Sequence, residues 1–143
     1  MYLVEEQLRD ILHGLGAFKY ETHFPEVTLL ANLLQEGEIV KGVVFGRYKH
    51  FLEGLSGRGA LIATNYRIIL IDRKPVYMRY EELPYSIIAG VEDVSSGALA
   101  SVILNTRIGD ITMKSWNRKS IDYFVHSVEN TTPANNSFYP YRI

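Results

Sequence analysis

The sequence predicts an α+β fold: a seven-stranded antiparallel β-barrel or sandwich capped by a C-terminal α-helix, with an N-terminal helical pair in front of it. Three observations carry this. Apolar residues recur at helical spacing before residue 36, seven short β-rich runs separated by turn residues follow from Glu38, and a helical pattern returns after Asn117. Runs of this length and spacing suit an antiparallel sheet and not alternating βαβ units.

Composition sets the outer bounds. A chain of 143 residues with 47% apolar content is the size of one domain. Such a domain buries roughly 70% of its unfolded surface, so a core can hold it without staples. There is no cysteine, which removes thiol catalysis, disulfides and cysteine-based zinc sites together. The opening Met1-Tyr2-Leu3-Val4-Glu5-Glu6 lacks the basic flank and apolar run of a signal peptide, and no stretch approaches the ~18 apolar residues of a membrane span. The expectation is a cytoplasmic protein. With 15 basic and 16 acidic residues the net charge is −1, with no positive excess to grip duplex nucleic acid, so no nucleic-acid partner is expected.

Val4, Leu8, Ile11, Leu12 and Leu15 form one stripe, ended by Gly14 and Gly16, and predict a helix over 3–15. Pro25 and Glu26 suit a helix's first turn. Val27, Leu30, Ala31 and Leu34, widened by Leu29 and Leu33, predict a second helix over 25–35. The predicted strands are Glu38 to Tyr48, Gly59 to Ala63, Tyr66 to Arg73, Val76 to Glu82, Ser86 to Val94, Leu99 to Asn105 and Asp110 to Ser115. Asn117 is placed to cap a helix carrying Ile121, Phe124, Val125 and Val128 into the core. Ile68 to Ile71, Leu61-Ile62 and Val102 to Leu104 are apolar on both strand faces, so something must cover the outer face. Residues 1–35 are expected to pack there as an extension, with a homo-oligomer contact as the competing cover; 36–130 are expected to form the domain, and 131–143 a tail that is too apolar to be solvated coil.

Three segments carry a family resemblance. They are Leu34-Gln35-Glu36-Gly37-Glu38-Ile39-Val40, then Gly59-Ala60-Leu61-Ile62-Ala63-Thr64-Asn65-Tyr66-Arg67-Ile68-Ile69-Leu70, then Leu83-Pro84-Tyr85-Ser86-Ile87-Ile88-Ala89-Gly90-Val91-Glu92. Together they resemble the bacterial PH domains, nearest the YokE-like PH family, over residues 34–130. The resemblance implies the PH-like superfold, a partly open barrel whose mouth the last helix plugs. Physical chemistry agrees locally. Thr64-Asn65 suits a tight hairpin, since Thr bonds back to the backbone and Asn tolerates the left-handed region. Pro84 suits a strand entrance.

The search for chemistry finds little. Gly54-Leu55-Ser56-Gly57-Arg58 has Arg58 where a nucleophile elbow needs glycine, and its glycines precede a strand and not a helix, which argues against a phosphate cradle. His13, His23, His50 and His126 are spaced 10, 27 and 76 apart, without metal-ligand spacing. Glu81-Glu82 and Glu92-Asp93 are adjacent on strands and point to opposite faces, so neither pair forms a shared-proton dyad. No catalytic residue, cofactor or metal is expected. One constellation remains: Lys41, Arg47, Lys49, His50 and Arg58, around the first strand and the loop after it. Eukaryotic PH domains carry a phosphoinositide-gripping basic cluster in this region, which Lys41 and Arg47-Tyr48-Lys49 resemble. Lys49 stands where arginine suits bidentate phosphate binding, and Glu53 lies in the same loop. Strand parity requires a bulge near Gly42 or Gly46. The sequence therefore favours a non-catalytic PH-like module binding a protein partner or copies of itself as a homo-oligomer. The alternative is attachment to anionic membrane lipid through the basic loop.

Overall fold

The computed structural model describes residues 4–50 and 55–131. The loop carrying Glu53 and Gly54 and the tail from residue 132 lie outside the described residues.

Helix α1 runs Glu5–Gly14. Its first turn holds Glu5 and Glu6, favourable beside the helix's positive end, and the Gln7 side chain accepts the Val4 N–H at 3.3 Å. Only part of the expected stripe is buried. Leu8 and Leu12 are fully enclosed, whereas Val4 and Ile11 are exposed. At 3.6 residues per turn the latter two lie roughly 70° to one side of the Leu8–Leu12 seam, beyond the reach of its neighbours. Gly16 then takes a φ of +105° and passes the backbone of Ser120 so closely that a Cβ would sit 3.0 Å from it. A 3₁₀ turn, Glu21–His23, leads to α2, Pro25–Leu33, with Pro25 at its first position.

The strands are β1 Val40–His50, β2 Leu55–Thr64, β3 Arg67–Arg73, β4 Met78–Pro84, β5 Ile88–Ser96, β6 Leu99–Thr106 and β7 Ile111–Ser115. All pairings are antiparallel in one seven-stranded sheet of order β4-β3-β2-β1-β7-β6-β5. β4 and β5 are its two edges, so the sheet curls without closing. Each predicted run becomes a strand, with a shift at Tyr85–Ile87, which forms a 3₁₀ turn. Pro84 therefore closes β4 and does not open the next strand. The expected bulge falls between Val40 and Gly42. Helix α3, Arg118–Thr131, follows β7, and Asn117 caps it by accepting the Ser120 N–H on Oδ1 at 3.1 Å.

Alternation divides the apolar residues between two cores. Val44, Tyr48, Leu61, Ala63, Ile68 and Leu70 face inward, where Ile121, Phe124 and Val128 of α3 seal the concave side and Val125 is half-buried. Gly42 lets α3 cross β1, since a Cβ there would lie 2.8 Å from the Phe124 Cα. Val43, Phe45, Ala60, Ile62, Ile69 and Ile71 face outward and pack with Leu8, Leu12, Val27, Leu29, Leu30 and Leu34. Burying both faces is what made these strands apolar throughout.

The β2–β3 hairpin works differently from its sequence reading. No described non-glycine residue has positive φ, so Asn65 does not use the left-handed region. Its side chain instead ties the hairpin to the α2–β1 connection, accepting the Ile39 N–H at 2.7 Å and donating to Gly37 O at 3.1 Å. Thr64 Oγ1 accepts the N–H groups of Tyr66 and Arg67 and donates to Glu38 at 2.6 Å.

Candidate functional site

The outward face of β1 changes character along its length. Val43 and Phe45 lie under the N-terminal helices, but the cover stops there, and Arg47 and Lys49, of the same parity, face solvent. Arg47 pairs with Arg58 on β2 and with Lys114 on β7. Arg58 shares parity with Ala60 and Ile62, and Lys114 alternates with the buried Met113 and Ser115, so all three cations point outward. They form a row across three adjacent strands at about 4.8 Å per step. All three are exposed, and among the described residues none of their side chains makes a hydrogen bond or ion pair. Like charges directly opposite one another destabilise a sheet, so such a row suits a site that receives negative charge.

The row lies in a groove of about 690 Å3 between the sheet and the segment leading into α2. An aromatic ladder forms one wall. Phe18 stacks on Tyr20 with ring centroids 5.8 Å apart, Tyr20 meets Phe24 edge-on at 5.8 Å, and Phe24 meets Phe45 edge-on at 5.5 Å. Trp116, immediately after β7, lines the groove with 70% of its surface exposed, and Tyr20 has 64% exposed. Two buried carboxylates hold the wall. Glu21 accepts the Phe18 N–H at 2.8 Å and the Asn117 amide at 3.1 Å, and burial pushes its carboxyl above the ordinary range against the pull of those bonds. Glu26 accepts the Arg73 N–H at 3.1 Å, which ties α2 to β3. Lys74 spans from Asp72 to Arg58 O and is committed to structure.

The structure gathers some of the sequence candidates and separates others. Arg47 and Arg58 are direct neighbours, with Lys49 two residues along on the same face. Lys41 sits at the bulge at the far end of β1. His50 is on the opposite face, 1% exposed, with Nε2 3.0 Å from Glu81 and Nδ1 without a partner in the described structure. Alternation separates it from Arg47 and Lys49, since residues of opposite parity point to opposite faces. Lys114, Trp116 and the aromatic ladder were missed. Ile111 and Met113 turned inward would have aimed Lys114 outward, but only pairing with β1 brings it to Arg47.

Two other polar clusters are structural. Arg67 forks onto Glu38 through Nε and Nη2, each at 2.9 Å, donates to Leu33 O at 2.9 Å, and also bonds Glu82. Burial would raise the Glu38 carboxyl, but hydrogen bonds from Arg67, Thr64 and the Gln35 N–H together bring it below the ordinary range. On the inner face of the sheet, Tyr48 donates to Asp72 at 2.5 Å, and burial with that carboxylate pushes the phenol up to about 12. Among the described residues no group of three or more His, Asp or Glu side chains could hold a metal ion, and no helix is long and apolar enough to cross a membrane.

Comparison with known proteins agrees with the topology. The sequence model of the bacterial PH domain matches residues 34–130. No curated protein matches by sequence. Among solved structures, the Vps36 N-terminal PH domain is similar at 22% identity and a TM-score of 0.52, over 69% of this chain and 82% of that one. A DUF1696-family protein with a pleckstrin-homology domain from Shewanella loihica PV-4 is similar at 17% identity and a TM-score of 0.50, over 73% of this chain and 88% of that one. At such identities the likeness concerns the fold. The first helix and the Phe18, Tyr20 and Phe24 rings of the wall lie outside the family match.

Proposed function

We propose that this chain, which belongs to the bacterial PH domain family, is a non-catalytic module that binds the acidic surface of a protein through its outer groove. The carrying observation is the unpaired row Arg58–Arg47–Lys114 beside exposed aromatic rings. Trp, Tyr and Arg dominate the residues that carry protein–protein binding energy, because each offers a large contact area together with a polar group. Here the three residue types share one groove. The site favours this over the loop after β1, because His50 is withdrawn to the other face and Lys41 is remote from the rest.

Trp116 is the chain's one tryptophan, so its fluorescence reports on the groove alone. Polyglutamate at low salt is expected to shift its emission to the blue, and Arg47→Glu with Arg58→Glu to abolish the shift. A response to phosphatidylserine vesicles with none to polyglutamate would replace this reading by membrane attachment. No response to either would remove the groove as an anionic site.

A further inference from the structure

We infer that the groove's occupant is helix α1 of a second copy of this chain. This rests on the reading of the groove as an acid-binding site and names its partner. The cation row steps at about 4.8 Å across strands. An extended acidic peptide repeats a face about every 6.7 Å, whereas carboxylates at i and i+4 of a helix lie about 5 to 6 Å apart. A helix matches the row and a strand does not.

The chain displays such a helix. Glu6 and Asp10 stand at i and i+4 on the exposed side of α1, and neither carboxylate has a hydrogen bond or ion pair among the described residues. Val4 and Ile11, the members of the apolar stripe that the fold leaves uncovered, are 58% and 37% exposed. They lie about a third of the way round the helix from Glu6 and Asp10. A helix with carboxylates on one flank and apolar side chains on the next is complementary to a groove with cations on its floor and aromatic rings on its wall. α1 runs directly through Gly16 and Ala17 into Phe18 and Tyr20 of that wall, so ridge and groove are neighbours in the same layer. Each copy can then offer both halves of the contact to the other, as a two-fold pair requires.

The test is sedimentation velocity with light scattering on the full chain across a concentration series, at low and high salt. The expected result is a concentration-dependent dimer that salt weakens. Arg47→Glu with Arg58→Glu, and separately Glu6→Lys with Asp10→Lys, should each raise the dissociation constant by about tenfold or more. Mixing the two variants should restore association, because each variant's altered half then meets an opposite charge on the other; the rescue also shows that both are folded. A wild-type chain that stays monomeric overturns the proposal. So does a dimer indifferent to both pairs of substitutions, or one that mixing does not rescue. If polyglutamate still shifts Trp116 in a monomeric protein, the groove reading stands and only its assignment to α1 falls.

Discussion

The two faces of one sheet are finished in different ways. The concave face is sealed by α3, which packs on β1, β5, β6 and β2 and sets Ile121, Phe124 and Val128 into the inner core. The convex face is covered only in part, by α1 and α2 over Val43, Phe45, Ile62 and Ile69, and is left open at Arg47, Arg58 and Lys114. On β1 the boundary is a single step of alternation, from Phe45 to Arg47. A sealed face has nothing to offer a partner, whereas a half-covered one offers both an apolar wall and a row of charges. On the function proposed above, the difference puts stability on one side of the sheet and recognition on the other.

The largest expected effect breaks the sealed side. Phe124→Ala removes a fully buried ring and should cost about 3 to 5 kcal/mol in a denaturant titration. A loss under about 1 kcal/mol would mean that α3 does not seal the core.

The sealed side was also the more legible in sequence. Helical spacing singled out Phe124 and Val128, and the doubly apolar runs of β2 and β3 announced that both faces would be covered. The site was less legible because it depends on which strands become neighbours. Arg47 and Arg58 share a hairpin and so could be grouped from sequence. Lys114 reaches them only through the β1–β7 pairing, 67 residues after Arg47 in the chain, and Phe18, Tyr20 and Phe24 of the aromatic wall come from a segment outside the family resemblance. His50 was grouped with its sequence neighbours, yet parity sends it to Glu81. The turn chemistry at Asn65 was misread because its partners, Gly37 and Ile39, are some 26 to 28 residues away.

A smaller loss is expected where the convex cover is fastened to the sheet. Glu38→Gln neutralises the buried partner of the Arg67 guanidinium and leaves it only the half-exposed Glu82 carboxylate, at a cost of about 3 kcal/mol. The pH dependence has a definite sign. Glu38 titrates below its ordinary value near 4.5 when folded, so its contribution is complete above that pH and is lost as pH falls through the folded value. Thermal melts from pH 7 down to pH 3 should show the wild type losing this increment and the variant lacking it throughout. Equal acid sensitivity in both would show that Glu38 does not carry the fastening.

Glu21 has the opposite sign. Its carboxyl is raised above the ordinary value near 4.5, so its favourable contribution is complete below that pH and is lost as pH rises through the folded value. Glu21→Gln keeps an oxygen to accept from Phe18 and Asn117 without the buried charge. Its melting temperature should exceed the wild type's at pH 7 and converge with it near pH 4. A variant less stable at pH 7 would mean that the charge itself holds the aromatic wall.

The smallest effect separates recognition from stability most directly. Arg58 faces Arg47 across the β1–β2 pairing, and like charges so placed cost a few tenths of a kcal/mol to about 1 kcal/mol. Arg58→Glu turns that repulsion into attraction, and neither side chain is engaged in any other described bond. The variant should therefore be more stable than the wild type by about 0.5 kcal/mol, while the Trp116 response to polyglutamate weakens. A gain in stability with a loss of binding is the mark of residues kept for a partner at the fold's expense. Unchanged binding in a stabilised variant would make Arg58 an ordinary surface charge and shrink the site to Arg47 and Lys114. A destabilised variant would show that the row already has its counter-charge within the fold, which would undo the contrast between the two faces.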